Sequence, residues 1–214
     1  IGPDNIDIVI NELDALAHID LKTKEIKAIG RTLNIVRIGT SGSVQADIPV
    51  DSFVISEKSI GCDGGLRFYA NNESVCDHPF EEAFIRHCRW TPSAARPYVV
   101  NADPGLVDRL YDEEHTIKGV TLTAVGFYGP QGRVLRLPLA MPGINDRITA
   151  FRYEGYKVTN YEMESAAITG LCNLLGHRAA TICLIIANRI NGDASADYHS
   201  YMNKLIRYTL EKLS

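Results

Sequence analysis

Four short stretches of this chain carry side chains whose types and spacing could do chemistry. Residues 160–165 read NYEMES and place Glu162 and Glu164 two apart around Met163. In an extended segment residues i and i+2 share a face, so both carboxylates can meet one ligand. A cis-diol offers two hydroxyl donors to such acceptors, and a thioether packs well on the apolar face of a sugar. Taken alone, the pair reads equally as solvated acids at a helix N-terminus, where negative charge is favoured. SAAITGLCNLLG follows it.

The other three stretches have the same double character. Arg37 lies inside the apolar run LNIVRIGT and precedes Thr40, Ser41 and Gly42. An arginine in an apolar strand is costly unless it is paired or faces a cavity. With hydroxyls and unhindered amides beside it, it suits a phosphate. The plain alternative is an arginine paired with an interior acid, beside an ordinary turn. GFYGPQGR sets Gln131 and Arg133 two apart after Phe127. A glutamine amide offers a donor and an acceptor, and a guanidinium offers donors only. Uracil has a matching edge, and Phe127 could stack on its ring. The alternative is a polar hairpin tip. ANRING puts Asn188 and Arg189 at the end of the most apolar strand, where both could face one pocket. INGDASADYHS follows, with the composition of a mobile lid or of a plain surface loop.

These groups need a frame. The chain has 214 residues, 45% hydrophobic and 22% charged, which suits one α/β domain with a full core. Periodicity predicts helices at GPDNIDIVINELDAL (capped by Asp4 and Asn5), around EEAFIRHCRW, after Asp103-Pro104, after NYEMES and at ADYHSYMNKLIRYTLEKL. Strands are expected at TLNIVRIGTSG, DSFVISEKSIG, KGVTLTAVGFYG, KVTNYE and RAATICLIIANR, the last buried on both faces. Alternation of strands and helices implies a parallel or mixed sheet, with function at strand C-terminal ends. A net charge of −4 gives no basic face for nucleic acid. No apolar run approaches a membrane span, and the expected location is the cytoplasm. The five cysteines lack CxxC spacing and read as reduced thiols. The six histidines lack HxxxH or HExxH spacing, so no catalytic metal is expected. Residues 71–98 suggest no function.

In order and rough spacing, IVRIGTSGSVQ, GFYGPQGR, NYEMESAA and IIANR resemble the motifs of the nucleoside phosphorylase I family, and within it the uridine phosphorylases. The resemblance spans nearly the whole chain. It implies one domain over residues 1–214, a three-layer αβα fold with a mixed, partly barrel-like central sheet. It implies reversible phosphorolysis of uridine to uracil and ribose 1-phosphate, with phosphate as co-substrate and no cofactor. By the same resemblance Arg37 and Thr40 bind phosphate. Gln131 and Arg133 read uracil against Phe127, and Arg189 acts near the uracil edge through water. Glu162, Met163 and Glu164 hold the ribose, with Glu164 on the diol, and Arg37, Arg133 and Glu164 carry the catalysis. The family assembles as homodimers or trimers of dimers in which a neighbouring subunit completes the site. Its members also carry an N-terminal segment ahead of the turn at IGPDN, so the sequence is expected to lack that part. Rival readings are a nucleosidase on the same fold, a purine phosphorylase and a non-catalytic nucleoside-binding protein. Related nucleosidases generally lack an arginine at the position of Arg37, and purine enzymes typically carry an acid where this chain reads IIANR.

Overall fold

Strand alternation and strand pairing together close the sheet of this protein on itself. In the computed structural model, which describes residues 2–214, the elements are α1 (Pro3–His18), β1 (Asn34–Ser43), β2 (Phe53–Gly61), α2 (His78–Cys88), β3 (Tyr98–Asn101), α3 (Pro104–Leu110), β4 (Thr116–Thr123), α4 (Ile144–Ala150), β5 (Arg152–Tyr153), β6 (Tyr156–Glu162), α5 (Ser165–Leu174), β7 (Arg178–Asn188), β8 (Asp193–Ala194) and α6 (Tyr198–Leu213). Strands run in the order β2-β4-β6-β1-β7, and β7 pairs back onto β2. The ring is mixed. β1–β7, β2–β4 and β4–β6 are parallel, and β1–β6 and β2–β7 antiparallel. The expected mixed, partly barrel-like sheet is therefore present. The short strands β3, β5 and β8 and the helix α4 lack a clear sequence period.

Alternation assigns the faces. Val36 and Ile38 of β1 and Ala180, Ile182 and Leu184 of β7 pack against α3 and α6. The neighbours between them, Arg37, Gly39, Ser41, Thr181 and Cys183, point the other way, toward the inside of the ring. Ile35 and Ala179 share that inward direction and meet α1 and α5, so helices cover both faces of β1 and β7. A third cluster packs α2 and α4 against β4 and β6. The interior of the ring is partly polar. Ser56 bonds Thr121 at 2.6 Å, Thr121 donates to Asn160 at 3.0 Å, and Asn160 donates to Ser41 at 2.9 Å. Ser56, Thr121, Asn160 and Ser41 thereby satisfy one another, while the buried Thr181 hydroxyl has no partner.

Helix starts follow local chemistry. Asp103 accepts from the Leu106 amide ahead of Pro104, as the sequence implies, and Asp77 and Asp197 cap α2 and α6 in the same way. Helix α1 differs from expectation. Its N-cap is Gly2 and Pro3 is its first residue, so Asp4 and Asn5 lie inside the first turn instead of capping it. Among the described residues no helix is long and apolar enough to cross a membrane. The five cysteines are free.

Close approach of β2 to β3 makes one glycine obligatory. Gly61 faces Tyr98 in register, and a Cβ at Gly61 would lie 2.1 Å from that fully buried ring. Gly61→Ala is expected to cost about 1–3 kcal/mol, the range for overpacking a core. Gly129→Ala, which meets nothing within 4 Å, should stay within about 0.5 kcal/mol of the parent. Denaturant midpoints of the two variants check this, and equal shifts would contradict the packing argument.

Candidate functional site

The ring opens at one end into a cleft of about 700 Å³, within the usual range for small-molecule sites. All the candidate site residues line it: Arg37, Thr40, Phe127, Gln131, Arg133, Glu162, Met163, Glu164 and Arg189. Strand β1 explains how its two faces can share one cleft. Its residues 34–41 pair with β7 on one side only, because β6 joins at Gly42 and Ser43. The other edge of Gly39, Thr40 and Ser41 borders the cleft, which wraps around that edge. Thr40 reaches it from the outer face and Arg37 from the inner face. Asn188 does not join them. Its amide donates to the carbonyls of Gln45 and Ile48, and its oxygen accepts from the amides of Ile190 and Asn191. The expectation that Asn188 and Arg189 face one pocket therefore holds for Arg189 alone, because Asn188 is spent on folding the loop.

Arg37 is the cation of one half of the cleft. Its side chain folds back over Gly39, where a Cβ would fall 2.5 Å from Nη1. Three groups meet the guanidinium. Glu164 accepts from Nη2, Glu162 lies 3.3 Å from Nη1, and the Cys183 sulfur lies 3.2 Å from Nη1. Burial alone would lower the arginine pKa, but Cys183, Glu162 and Glu164 together raise it above the ordinary value. With one cation and two carboxylates, this half carries a net charge of −1.

The two acids of NYEMES have different tasks. Glu162 ends β6 and faces the start of α5, where helix amides lack partners within the helix. Its Oε1 accepts from the hydroxyls of Thr123 (2.6 Å) and Ser165 (2.7 Å), and its Oε2 from the amides of Glu164 (2.8 Å) and Ser165 (2.9 Å). Those bonds and Arg37 take up its lone pairs, so Glu162 caps the start of α5 and supports Arg37. Glu164, the N-cap residue of α5, stands further into the cleft and accepts from Arg37 and from the Gly2 amide at 2.9 Å. Burial pushes its pKa up, but Arg37 and the Gly2 amide outweigh this and hold it below the ordinary glutamate value.

The other half holds two cations and no acid. Arg133 donates to Gln131 Oε1 (2.6 Å) and to the Phe127 carbonyl (2.6 Å), with its guanidinium 3.8 Å from the Phe127 ring centre. Arg189 donates to the Gln131 backbone oxygen at 3.0 Å and also to Oε1, and it lies 4.4 Å from the Tyr161 ring centre. Its Nε is buried with no acceptor. Burial and the charge of Arg133 lower the Arg189 pKa to about 10. Neither arginine forms an ion pair among the described residues. Gln131 Oε1 thus takes two arginine donors, and the side chain has only its Nε2 donors left for a ligand. The sequence reading assigned this glutamine a donor and an acceptor. The structure leaves the donor alone, and one face of Phe127 is already covered by Arg133.

Tyr161, Cys183, Thr123, Ser165 and Asn145 complete the site and were not singled out from sequence. Tyr161 and Ser165 lie within the NYEMES stretch itself, so adjacency was the available signal. Two other features lie apart from this chemistry. A second cavity, about 720 Å³, sits beyond Arg133 and is walled mainly by apolar residues such as Leu135, Leu137, Leu139 and Met141. Asp14, His18 and His177 cluster at the end of α1. There the Leu33 amide donates to His177 Nδ1 at 3.3 Å, and Nε2 faces Asp14 at 3.1 Å. A metal-ligating imidazole ordinarily donates from its second nitrogen, so this polarity suits a donor to Asp14 and not a metal ligand.

Two outcomes follow from the Arg37 cluster. Gly39→Ala would meet only the far end of the flexible Arg37 side chain. Its stability should change by under about 1 kcal/mol, while the displaced guanidinium should lower kcat/KM at least about 10-fold. A variant that loses stability but keeps activity would contradict this. Glu164 has a folded pKa below its ordinary value of 4.5, so its stabilisation is complete above that pH and is lost as pH falls through the folded value. The gap in thermal midpoint between the parent and Glu164→Gln should therefore close below about pH 4.5. A constant gap would refute the assignment.

Comparison with known proteins gives this geometry a family. A uridine phosphorylase of Thermococcus kodakarensis is 26% identical over 176 residues, 79% of this chain and 53% of that protein. The chain thus spans about half the length of that curated relative. A Schistosoma mansoni protein named inactive uridine phosphorylase B is 36% identical over 87 residues, 36% of this chain and 26% of its own length. Among solved structures, a Trypanosoma brucei nucleoside phosphorylase, described as showing uridine phosphorylase activity, superposes with a TM-score of 0.84 at 25% identity, over 100% of this chain and 77% of that one. The profile of the Phosphorylase superfamily matches residues 1–209, and with the fold and cleft described above this chain belongs to that superfamily.

Proposed function

We propose that the protein catalyses reversible phosphorolysis of uridine to uracil and ribose 1-phosphate. The observation that carries this reading is the division of charge in the cleft: two acid-free arginines at one end, and Glu162 and Glu164 around Arg37 at the other. As the C1′–N1 bond lengthens, its electron pair moves onto the base and positive charge builds on the ribosyl ring. Arg133, Arg189 and the Gln131 amide stabilise the anionic base, and Glu164 the cationic sugar. A phosphate oxygen adds to C1′ from the opposite face, giving ribose 1-phosphate, and uracil leaves and takes up a proton. Glu164 accepts from the ribose diol, Met163 packs on the sugar, and Thr40 and Arg37 hold phosphate. Because Arg37 is already matched by two carboxylates, further cations from a neighbouring subunit or from elsewhere in the protein complete the phosphate site. No cofactor or metal enters this scheme.

Donor-only chemistry at the base end also orders the bases. Uracil presents carbonyl acceptors, and cytosine presents an amino donor where uracil has O4. Discrimination of this kind, where buried polar groups are left unpaired by the wrong base, reaches about 10⁴-fold. The relative named inactive keeps a second reading in play, a nucleoside-binding protein without turnover.

Incubating the complete chain with uridine, with and without inorganic phosphate, separates the readings. Uracil release that requires phosphate and is matched by ribose 1-phosphate is the expected result. Uracil with free ribose and no phosphate dependence would make the protein a nucleosidase. Uridine binding without release would support the binding protein.

A further inference from the structure

We infer that Asn145 is the positioning residue of the base-reading end, acting through Gln131 to fix where its donors point. The inference deepens the function proposed above and rests on it. Asn145 belongs to α4, which contributes no other candidate residue to the cleft. Its side-chain amide is used at both ends. Nδ2 donates to the backbone oxygens of Gln131 (3.2 Å) and Gly132 (3.4 Å), and Oδ1 accepts from the Tyr161 hydroxyl (3.1 Å). The orientation is forced, because a flipped amide would turn its oxygen toward two carbonyls. The backbone is shaped around it. Gly132 is left-handed, with φ +69°, and a Cβ there would lie 2.4 Å from Asn145 Nδ2. No other residue could bring the Gln131–Gly132 turn so close to the amide.

The contacts form a closed circuit. Asn145 and Arg189 donate to the same Gln131 backbone oxygen and use both of its lone pairs. Arg189 lies over the Tyr161 ring, and Tyr161 donates back to Asn145. Arg189 and Arg133 both close on Gln131 Oε1. Two mutually repelling cations are thus held in one place by neutral groups, with Gln131 as the shared anchor. Without Asn145 the turn loses the bonds that fix it from the α4 side, and the Gln131 Nε2 donors lose their aim. Catalytic rates are sensitive to displacements of about 1 Å, so the cost appears in base recognition and leaves phosphate binding alone.

The test compares steady-state kinetics of the complete chain with those of Asn145→Ala, Asn145→Asp and Gln131→Ala, and of the double variant of Gln131→Ala with Asn145→Ala. Asn145→Asp keeps the shape and the acceptor for Tyr161 but offers Gln131 no donor, so it serves if Asn145→Ala does not fold. Both Asn145 variants are expected to lower kcat/KM for uridine about 10-fold or more, narrow the preference for uridine over cytidine, and leave KM for phosphate within about 2-fold. In the Gln131→Ala background the further loss should be under about 2-fold, as for residues acting through one another. Parental kinetics in both Asn145 variants, or a full additional loss in the Gln131→Ala background, would overturn the inference alone. A parent that neither binds nor turns over uridine would overturn the proposed function, and the inference with it.

Discussion

The rest of the structure is arranged around a half-buried cation. Arg37 sits on an inward-facing position of β1, beside Gly39, Ser41, Thr181 and Cys183, while the alternate residues of β1 and β7 pack in a hydrophobic core. An unpaired guanidinium there would cost several kcal/mol, and the surrounding residue choices answer that cost. Gly39 has no side chain because the arginine lies over it. Glu162 comes from the end of β6 and Glu164 is the N-cap of α5, so the ion pairs tie β1 to the strand–helix junction beside it. Glu162 in turn bonds Thr123 at the end of β4. One charge thereby fixes the placement of β1 relative to two strand ends and a helix start.

The second half of the cleft follows a different principle. Arg133 and Arg189 have no carboxylates, and only amide, carbonyl and aromatic groups hold them. Such an arrangement keeps the local charge positive at some cost: burial first, and then the charge of Arg133, lower the pKa of Arg189. A net negative region and a net positive region at the two ends of one cleft suit a substrate that separates charge as a bond breaks. They also explain the unequal fates of the two NYEMES acids. Glu162 is consumed in holding the frame, while Glu164 remains at the cleft wall. The distinction comes from where β6 stops. Glu162 is the last strand residue and lies behind the α5 amides, and Glu164 is already the helix N-cap.

Much of this was legible in the chain. The apolar runs marked the main strands because burial on both faces leaves few polar positions, and the Asp-Pro signal placed α3. An arginine within LNIVRIGT demanded a partner or a cavity on energetic grounds alone, and it has both. Parallel pairing sets the ends of β4 and β6 side by side and likewise those of β1 and β7, and closure of the mixed ring brings the two pairs to one cleft. The short strands β3, β5 and β8 and the helix α4 were not legible. Elements of two to seven residues complete too little of a period to stand out, and their partners hold them in place.

By itself the sequence determined which chemical groups are present and which strand or helix end carries each, since local propensity and the cost of burying charge act over a few residues. Only the tertiary structure decided how those groups spend their hydrogen bonds. Arg37 and Glu164 are 127 residues apart, and Asn145 reaches Tyr161 across 16, so no local pattern can announce either contact. Convergence of two arginines on one amide oxygen turned Gln131 from a donor and acceptor into a donor alone. That change follows from three-dimensional competition for lone pairs, a quantity that spacing along a chain does not contain.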